Sequence, residues 1–258
     1  MRDKRLDDME EYILLQKDSS LDELCEKYQI SKNTVRRDIE ELLLRGNIKK
    51  VYGGVKAKEN AGKQVELSAF SERNISHKEE KEKICKSAGE LVKEGDTIFI
   101  DTGSSCVNLV KYIGHVSCMI ITNSLRVAYM AKDYPGLQLL MLPGSLRRET
   151  MSFVGLETVE QLRIYNIDQA FMAATGVSLQ KGMTNASAYE YNIKKEVLER
   201  SRIKNLMVDH SKFGKTALYT FGDFQDFDCL IMDFGRLTEF SILFHSCDEK
   251  LLVVQNNF

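Results

Sequence analysis

The sequence predicts an α/β protein in two parts, an N-terminal winged helix-turn-helix followed by a C-terminal open, mostly parallel α/β domain. Three observations carry this. Residues 20–56 pattern as two short helices, a tight turn and a basic hairpin. From Thr97 onward, short apolar stretches alternate with loops and helical stretches, as in a parallel sheet covered by helices on both sides. A length of 258 residues allows roughly two domains.

In the head, Leu6, Met9 and Ile13 share one helical face and give a first helix. Ser20 with Glu23 is a capping-box signal, and Leu21 and Leu24 mark the inner face of a second helix ending near Tyr28. Gln29 and Ile30 make the turn. Ser31 caps a third helix whose Val35, Ile39 and Leu42 or Leu43 face inward, which turns Lys32, Asn33, Arg36 and Arg37 outward. A helix-turn-helix points side chains from these first turns at base edges in the major groove. Arg and Lys match guanine there, and Asn matches adenine. Gly46 is the expected terminator. Ile48 to Tyr52 and Val55-Lys56 form the wing, with Gly53-Gly54 supplying a turn at positive φ.

Charge agrees with this assignment. Acidic residues outnumber basic ones up to Ile30, whereas Lys32, Arg36, Arg37, Arg45, Lys49, Lys50, Lys56 and Lys58 dominate from Ser31 to Lys58. A cationic patch confined to the third helix and hairpin is what phosphate contacts require. The expected DNA-contacting residues are Ser31, Lys32, Asn33, Thr34, Arg36, Arg37, Lys49, Lys50 and Tyr52.

The domains expected are 1–58 for the winged head, 59–75 for a linker around Gly62, and 76–258 for the α/β part. A helix spans Ser76 to Lys93. Strands are expected at Thr97–Ile100, Met119–Thr122, Leu137–Leu142, Ala170–Ala174, Asn205–Val208 and Cys229–Met232. Helices fall at Cys106–Ile113, Ser124–Lys132, Gly155–Ile164 and Tyr189–Ser201. Ligands of such sheets bind beyond the carboxyl ends of the strands. Those ends carry Asp101-Thr102-Gly103-Ser104-Ser105, Thr122-Asn123-Ser124, Pro143-Gly144 with Arg147-Arg148, and Asp209 to Gly214 with Lys212. Each loop alone is an ordinary helix cap or a solvated surface. Four hydroxyl-, glycine- or cation-rich loops on one sheet edge would encircle a small phosphorylated ligand.

The apolar fraction of 43% and charged fraction of 29% are ordinary for a soluble protein with a sizeable core. No apolar run approaches the ~20 residues of a membrane span, and the acidic start is not a signal peptide, so a cytoplasmic location is expected. Cys25, Cys85, Cys106, Cys118, Cys229 and Cys247 form no C-x-x-C pair, and the four histidines lie far apart. Neither a metal site, a cofactor nor a disulfide framework is expected.

The segment from Ile30 to Val55 resembles the amino-terminal domain of the DeoR family of bacterial transcription regulators, with Ile30, Ser31, Thr34, Val35, Arg36, Arg37 and Asp38 at the positions of its V-S-x-x-T-[IV]-R-R-D-L pattern. Ile39 replaces the usual leucine, and Tyr52 stands where a histidine is common. The resemblance continues through FIDTGSS, ITNSL, LPGSLRRETMSFVG, DQAFMAATGVSLQKGMT and VDHSKF, and so covers nearly the whole chain. It implies a sensor domain of ribose-5-phosphate isomerase or CoA transferase-like fold. Ser104, Ser105 and Lys212 would then take the phosphate, and Asp101 and Asn123 the sugar hydroxyls. Ser104-Ser105 stands where Thr-Thr is common.

The function implied is a repressor of a carbohydrate-use operon, working as a homodimer or homotetramer on operator DNA and modulated by a phosphorylated sugar. The expected effector-binding set is Asp101, Thr102, Gly103, Ser104, Ser105, Thr122, Asn123, Ser124, Gly144, Arg147 and Lys212. An isomerase needs a carboxylate base over the sugar, and Ala173 to Thr184, the stretch that the resemblance sets against the acidic run of the isomerases, contains none. Catalysis is therefore not expected. The rivals are a sugar-phosphate isomerase or CoA transferase-like enzyme, and a DNA-binding scaffold with a vestigial pocket.

Overall fold

The computed structural model describes residues 2–45, 48–57, 76–233 and 250–254. Two compact units divide the chain, Met1–Val65 and Glu66–Phe258. Gly46 and the proposed linker 59–75 lie outside the described residues.

The first unit holds α1 (Arg2–Gln16), β1 (Asp18–Ser20), α2 (Leu21–Tyr28), α3 (Lys32–Arg45), β2 (Ile48–Val51) and β3 (Gly54–Ala57). Leu6, Met9, Ile13, Leu24, Val35, Ile39, Leu42, Ile48 and Val55 form its core. The capping box of Ser20 and Glu23 is formed, and Gln29 closes α2 in the left-handed region at φ 53°. Ser31 Oγ accepts from Thr34 N at 3.2 Å and so starts α3.

One expectation needs correction at the wing. Only Gly53 has positive φ, at 81°. Gly54 is required for a different reason: a Cβ there would sit 2.3 Å from the Ser19 carbonyl oxygen. That close approach lets Asp18-Ser19-Ser20 pair with β3 as a third strand, in the order β1-β3-β2. Nothing in the strand propensity of Asp-Ser-Ser signals it.

The second unit is built on a sheet whose described strands are all parallel. They are β4 (Thr97–Ile100), β5 (Cys118–Thr122), β6 (Leu137–Met141), β9 (Ile167–Met172), β12 (Ser201–Val208), β14 (Cys229–Asp233) and β15 (Lys250–Val254), in the order β15-β14-β12-β9-β4-β5-β6. The helices are α4 (Lys78–Gly89), α5 (Leu109–Ile113), α6 (Leu125–Ala131), α7 (Leu156–Leu162) and α8 (Ala188–Arg200). Strand alternation sorts the core into two layers. Phe99, Ile121, Ala170, Met172, Leu206 and Leu230 meet α7 and α8 through Val159, Leu162, Ile193 and Val197. Ile98, Ile100, Ile120, Phe171, Met207 and Ile231 meet α4, α5 and α6 through Ile84, Ala88, Val110 and Val127.

Several boundaries differ from the sequence expectation. The strand placed at Ala170–Ala174 starts at Ile167 and stops at Met172, because Ala173 N turns to Asp101 Oδ2. The strand placed at Asn205 begins at Ser201, where α8 passes straight into β12 with Ser201 Oγ donating to Val197 O at 2.6 Å. The helix expected from Cys106 starts only at Leu109, after a run of turns. A hairpin of β7 (Ser145–Arg147) and β8 (Ser152–Val154), and a small sheet of β10 (Gly176–Ser178), β11 (Gly182–Asn185) and β13 (Tyr219–Gly222), lie in stretches expected to be loops.

The chain fills the sheet outward in one direction through β4, β5 and β6, then in the other through β9, β12 and β14. The direction therefore reverses between β4 and β9. Open α/β sheets bind ligands at such a switch point, beyond the carboxyl ends of the strands.

Candidate functional sites

In the head, Ser31, Lys32, Asn33, Arg36 and Arg37 are exposed on the first turns of α3, and Thr34 is half-buried against Ser31. Lys32 Nζ meets Asp22 Oδ1 of α2 at 2.5 Å, and this hydrogen bond raises the lysine pKa. Lys49 and Lys50 are exposed on β2. Lys49 pairs in register with Lys56 of β3, so two like charges stand directly opposite each other on the outer face of the wing. Such a pair costs stability unless an anion lies over it, and a phosphate backbone is one. Tyr52 projects fully into solvent at the wing tip, with 108% relative exposure.

The Asp38 that follows the arginine pair has a different place. It is 1% exposed, and its Oδ2 accepts from Arg5 Nε at 3.0 Å and Nη2 at 2.9 Å. This joins α1 to α3, so the third residue of the R-R-D run braces the helix that carries the other two.

At the switch point of the second unit, Asp101 is buried and fully engaged. Its Oδ1 accepts from Thr102 N at 2.8 Å; its Oδ2 accepts from Ala173 N at 2.9 Å and from Lys194 Nζ. Lys194 also donates to Ala173 O at 2.8 Å. The loops after β4 and β9 are thus clamped together by a buried ion pair from α8. Gly103 sits inside the clamp, where a Cβ would lie 2.3 Å from that of Ala173. Thr102, Ser104 and Ser105 are buried in the turns that follow.

The loop after β5 is fixed as tightly. Thr122 Oγ1 donates to Ile100 O at 2.7 Å and accepts from Ser124 N at 3.0 Å, while Ser124 Oγ caps α6 at Val127 N. Asn123 Nδ2 donates to Phe153 O at 2.9 Å, and Phe153 N returns a bond to Asn123 O at 2.8 Å. Asn123 Oδ1, by contrast, is buried with no hydrogen-bond partner among the described residues. A buried acceptor left unpaired costs about 1–3 kcal/mol. Gly144 has φ 142° and packs against Val154 and Thr158, which makes it a turn residue. Arg147 Nη1 donates to Ser187 Oγ, the N-cap of α8, at 2.6 Å.

After β12, Asp209 is fully buried, and its Oδ1 accepts from Ser211 N at 3.0 Å. Lys81 Nζ of α4 lies 3.7 Å from Asp209 Oδ2 and donates to Ser76 O at 2.6 Å. Burial works to raise the Asp209 pKa, but Lys212, the Ser211 hydroxyl, Lys81 and His77 outweigh it and hold the carboxyl below its usual value. Lys212 is half-buried beside this cluster.

The expected effector-site residues therefore lie at the carboxyl end of β5 and on the segments that follow β4, β5, β6 and β12, with Arg147 on strand β7 of the hairpin after β6. Lys81, Lys194 and Ser187 were absent from the sequence expectation. Lys194 carried a signal: Glu190 and Lys194 are one turn apart on the face of α8 that also buries Ile193 and Val197. Lys81 likewise interrupts the buried face of α4 that includes Ile84, Cys85 and Ala88.

Residues 5–61 match a DeoR-like helix-turn-helix domain, and residues 76–234 match a DeoR C terminal sensor domain. The chain is similar to the HTH-type transcriptional regulator IolR of Bacillus subtilis, with 40% identity over 90% of this chain and 91% of that one. It is also similar to the lactose phosphotransferase system repressor of Staphylococcus epidermidis, with 31% identity over 89% and 91%. Among solved structures, ribose 5-phosphate isomerase A from Methanocaldococcus jannaschii matches 53% of this chain and 55% of its own at 22% identity, with a TM-score of 0.40. The head and sensor matches, together with a 40% identical relative along nine-tenths of the sequence, place the chain in the DeoR family of transcriptional regulators.

Proposed function

We propose that the chain represses a carbohydrate-use operon in the cytoplasm, gripping operator DNA with α3 and the wing. A small phosphorylated sugar at the carboxyl edge of the sensor sheet modulates that grip. The observation that carries the effector half is the buried, unpaired Asn123 Oδ1 beside the switch point, an acceptor suited to a sugar hydroxyl. Lys212, with Ser104 and Ser105, supplies the phosphate end. Asp101 has its oxygens committed to Thr102, Ala173 and Lys194, so in this reading it shapes the loop and does not touch the sugar. The names of the relatives above, one of them a repressor of a sugar phosphotransferase system, support repression of a sugar operon.

A single winged head makes few base contacts, so specific binding calls for a homodimer or homotetramer on paired half-sites. Edge strand β6 with its exposed Leu139 offers one surface for that assembly. A coupling of about 1–3 kcal/mol between sugar and DNA suffices for regulation.

The test is a screen of phosphorylated sugars for a rise in the melting temperature of the purified chain, because only a ligand of the native state raises it. One such sugar is expected to raise it and to change operator affinity, and Lys212→Ala is expected to lose both effects while still binding operator DNA. A Lys212→Ala variant that responds as the parent does would displace the phosphate site. Turnover of the sugar by the purified chain would instead favour an isomerase.

A further inference from the structure

Beside the Asp209 cluster, His77, Glu80 and His210 converge. Each offers a ligand atom, and these atoms all lie within 4.8 Å of one another. His77 and Glu80 stand at the start of α4, and His210 follows β12, so residues far apart in sequence meet at one corner of the sensor unit. Each side chain is about one-third exposed, which leaves the corner open to solvent.

Two features aim these groups at a common point. His210 is held from behind: its Nδ1 faces Asp233 Oδ2 at 2.5 Å, and its backbone N donates to Asp233 Oδ1 at 2.6 Å. In the tautomer that donates Nδ1–H to the Asp233 carboxylate, the Nε2 lone pair is the one left to bind. A carboxylate behind a histidine is the usual outer partner of a metal ligand. His77 occupies the N-cap of α4 in the left-handed region, φ 55°, yet its side chain makes no capping hydrogen bond. It turns to His210 instead, with the rings edge to face and their centroids 4.7 Å apart. A left-handed conformation at a non-glycine residue costs energy and persists only where other contacts hold it.

The nearby charges leave a net negative balance: Glu80, Asp233 and Asp209 supply three carboxylates against two ammonium groups, Lys81, directed at Asp209 and Ser76 O, and Lys212, which acts on Asp209.

We propose that His77, Glu80 and His210 bind a divalent transition-metal ion of the zinc class, with Asp233 as the positioning residue behind His210. Two imidazoles and one carboxylate form a donor set suited to Zn²⁺, with a fourth position for water or a ligand oxygen. Tetrahedral bonds of about 2.0 Å bring such ligand atoms to roughly 3.3 Å from one another. The exposed side chains need only small rotations to reach that distance. The ion would pin the start of α4 to the ends of β12 and β14, next to Lys212. The spacing along the sequence hid this cluster, because its histidines are 133 positions apart (210 − 77).

The test is calorimetric titration of the full chain, free of any polyhistidine tag, with zinc chloride in a non-chelating buffer. One ion per chain is expected to bind. His77→Ala and Glu80→Gln should each weaken binding by about tenfold or more, and Asp233→Asn by about the same. The metal-free melting temperature of Glu80→Gln should match that of the parent, which separates a lost ligand from a lost fold. Cobalt absorption spectra of the parent should show a four- or five-coordinate site that His77→Ala and His77→Gln lose. Absence of zinc binding, or unchanged affinity in His77→Ala and Glu80→Gln, would overturn the proposal.

Discussion

Arg36, Arg37 and Asp38 are consecutive, but helical geometry gives them opposite surroundings. The arginines are exposed on the outer face of α3, and Asp38 is buried against Arg5. Their substitutions should therefore separate. Arg36→Ala or Arg37→Ala is expected to weaken operator binding by about 1–3 kcal/mol with no change in unfolding midpoint. Asp38→Ala strands Arg5 at the α1–α3 junction, and loss of one partner from a buried pair costs about 3–5 kcal/mol, less here because Arg5 is 28% exposed. Gel-shift titration and urea unfolding measure the two effects. A destabilised Arg36→Ala, or an Asp38→Ala as stable as the parent, would contradict this division. The outward arginines are legible because their helical spacing opposes Val35, Ile39 and Leu42. The role of Asp38 is not, because its partner lies 33 positions upstream and no local period links them.

Among elements, those with a long apolar signal are the ones the sequence discloses. Strands β4, β5 and β14 fall within a residue of their expected bounds because buried parallel strands are continuous apolar runs, and the edge strand β6 is as close although only Leu137 in it is buried. Short pieces held by partners elsewhere escape. Strand β1 exists because Gly54 admits the Ser19 backbone, and the β7–β8 hairpin is tied down by Asn123. The loop after β4 shows its hydroxyls in the sequence but not the clamp that shapes it, since Lys194 lies 93 positions from Asp101. The clamp makes Gly103 a sensitive position. In Gly103→Ala the new methyl meets Ala173 Cβ at 2.3 Å, which forces the β4 and β9 loops apart. Overpacking of this kind costs about 1–3 kcal/mol. The sugar-phosphate response is expected to weaken further than the melting temperature alone accounts for, as read by calorimetry at a temperature where the variant is folded. An unchanged response would mean that the spacing of these two loops does not define the pocket.

In the whole molecule, the two units carry separate cores, and among the described residues the carboxylates held low by their partners cluster in one of them. Burial works to raise the pKa of Glu82, but hydrogen bonds from Tyr112 and Lys111 outweigh it. In Glu196 burial is outweighed by Arg200 and Arg163, and in Asp209 by Lys212, Ser211 and Lys81. All three belong to the sensor unit. A carboxyl whose folded pKa lies below its unfolded value stabilises the fold at pH above the unfolded value, and that contribution disappears as pH falls through the folded one. The unfolded references are 4.5 for the glutamates and 3.8 for the aspartate. The sensor transition in scanning calorimetry should therefore hold its midpoint from pH 7 to about pH 5 and then fall steeply as the solution is acidified further. Asp209→Asn lacks one of the titrating groups and removes the carboxylate that lies 3.7 Å from Lys81 Nζ. It should melt lower than the parent at pH 7, and the gap should narrow only as pH falls below the unfolded value of 3.8, closing as the folded aspartate, held lower still, takes up its proton. A gap that stays constant across this range would mean that the charge on Asp209 contributes nothing, and that Lys81 is held by Ser76 O and its other contacts.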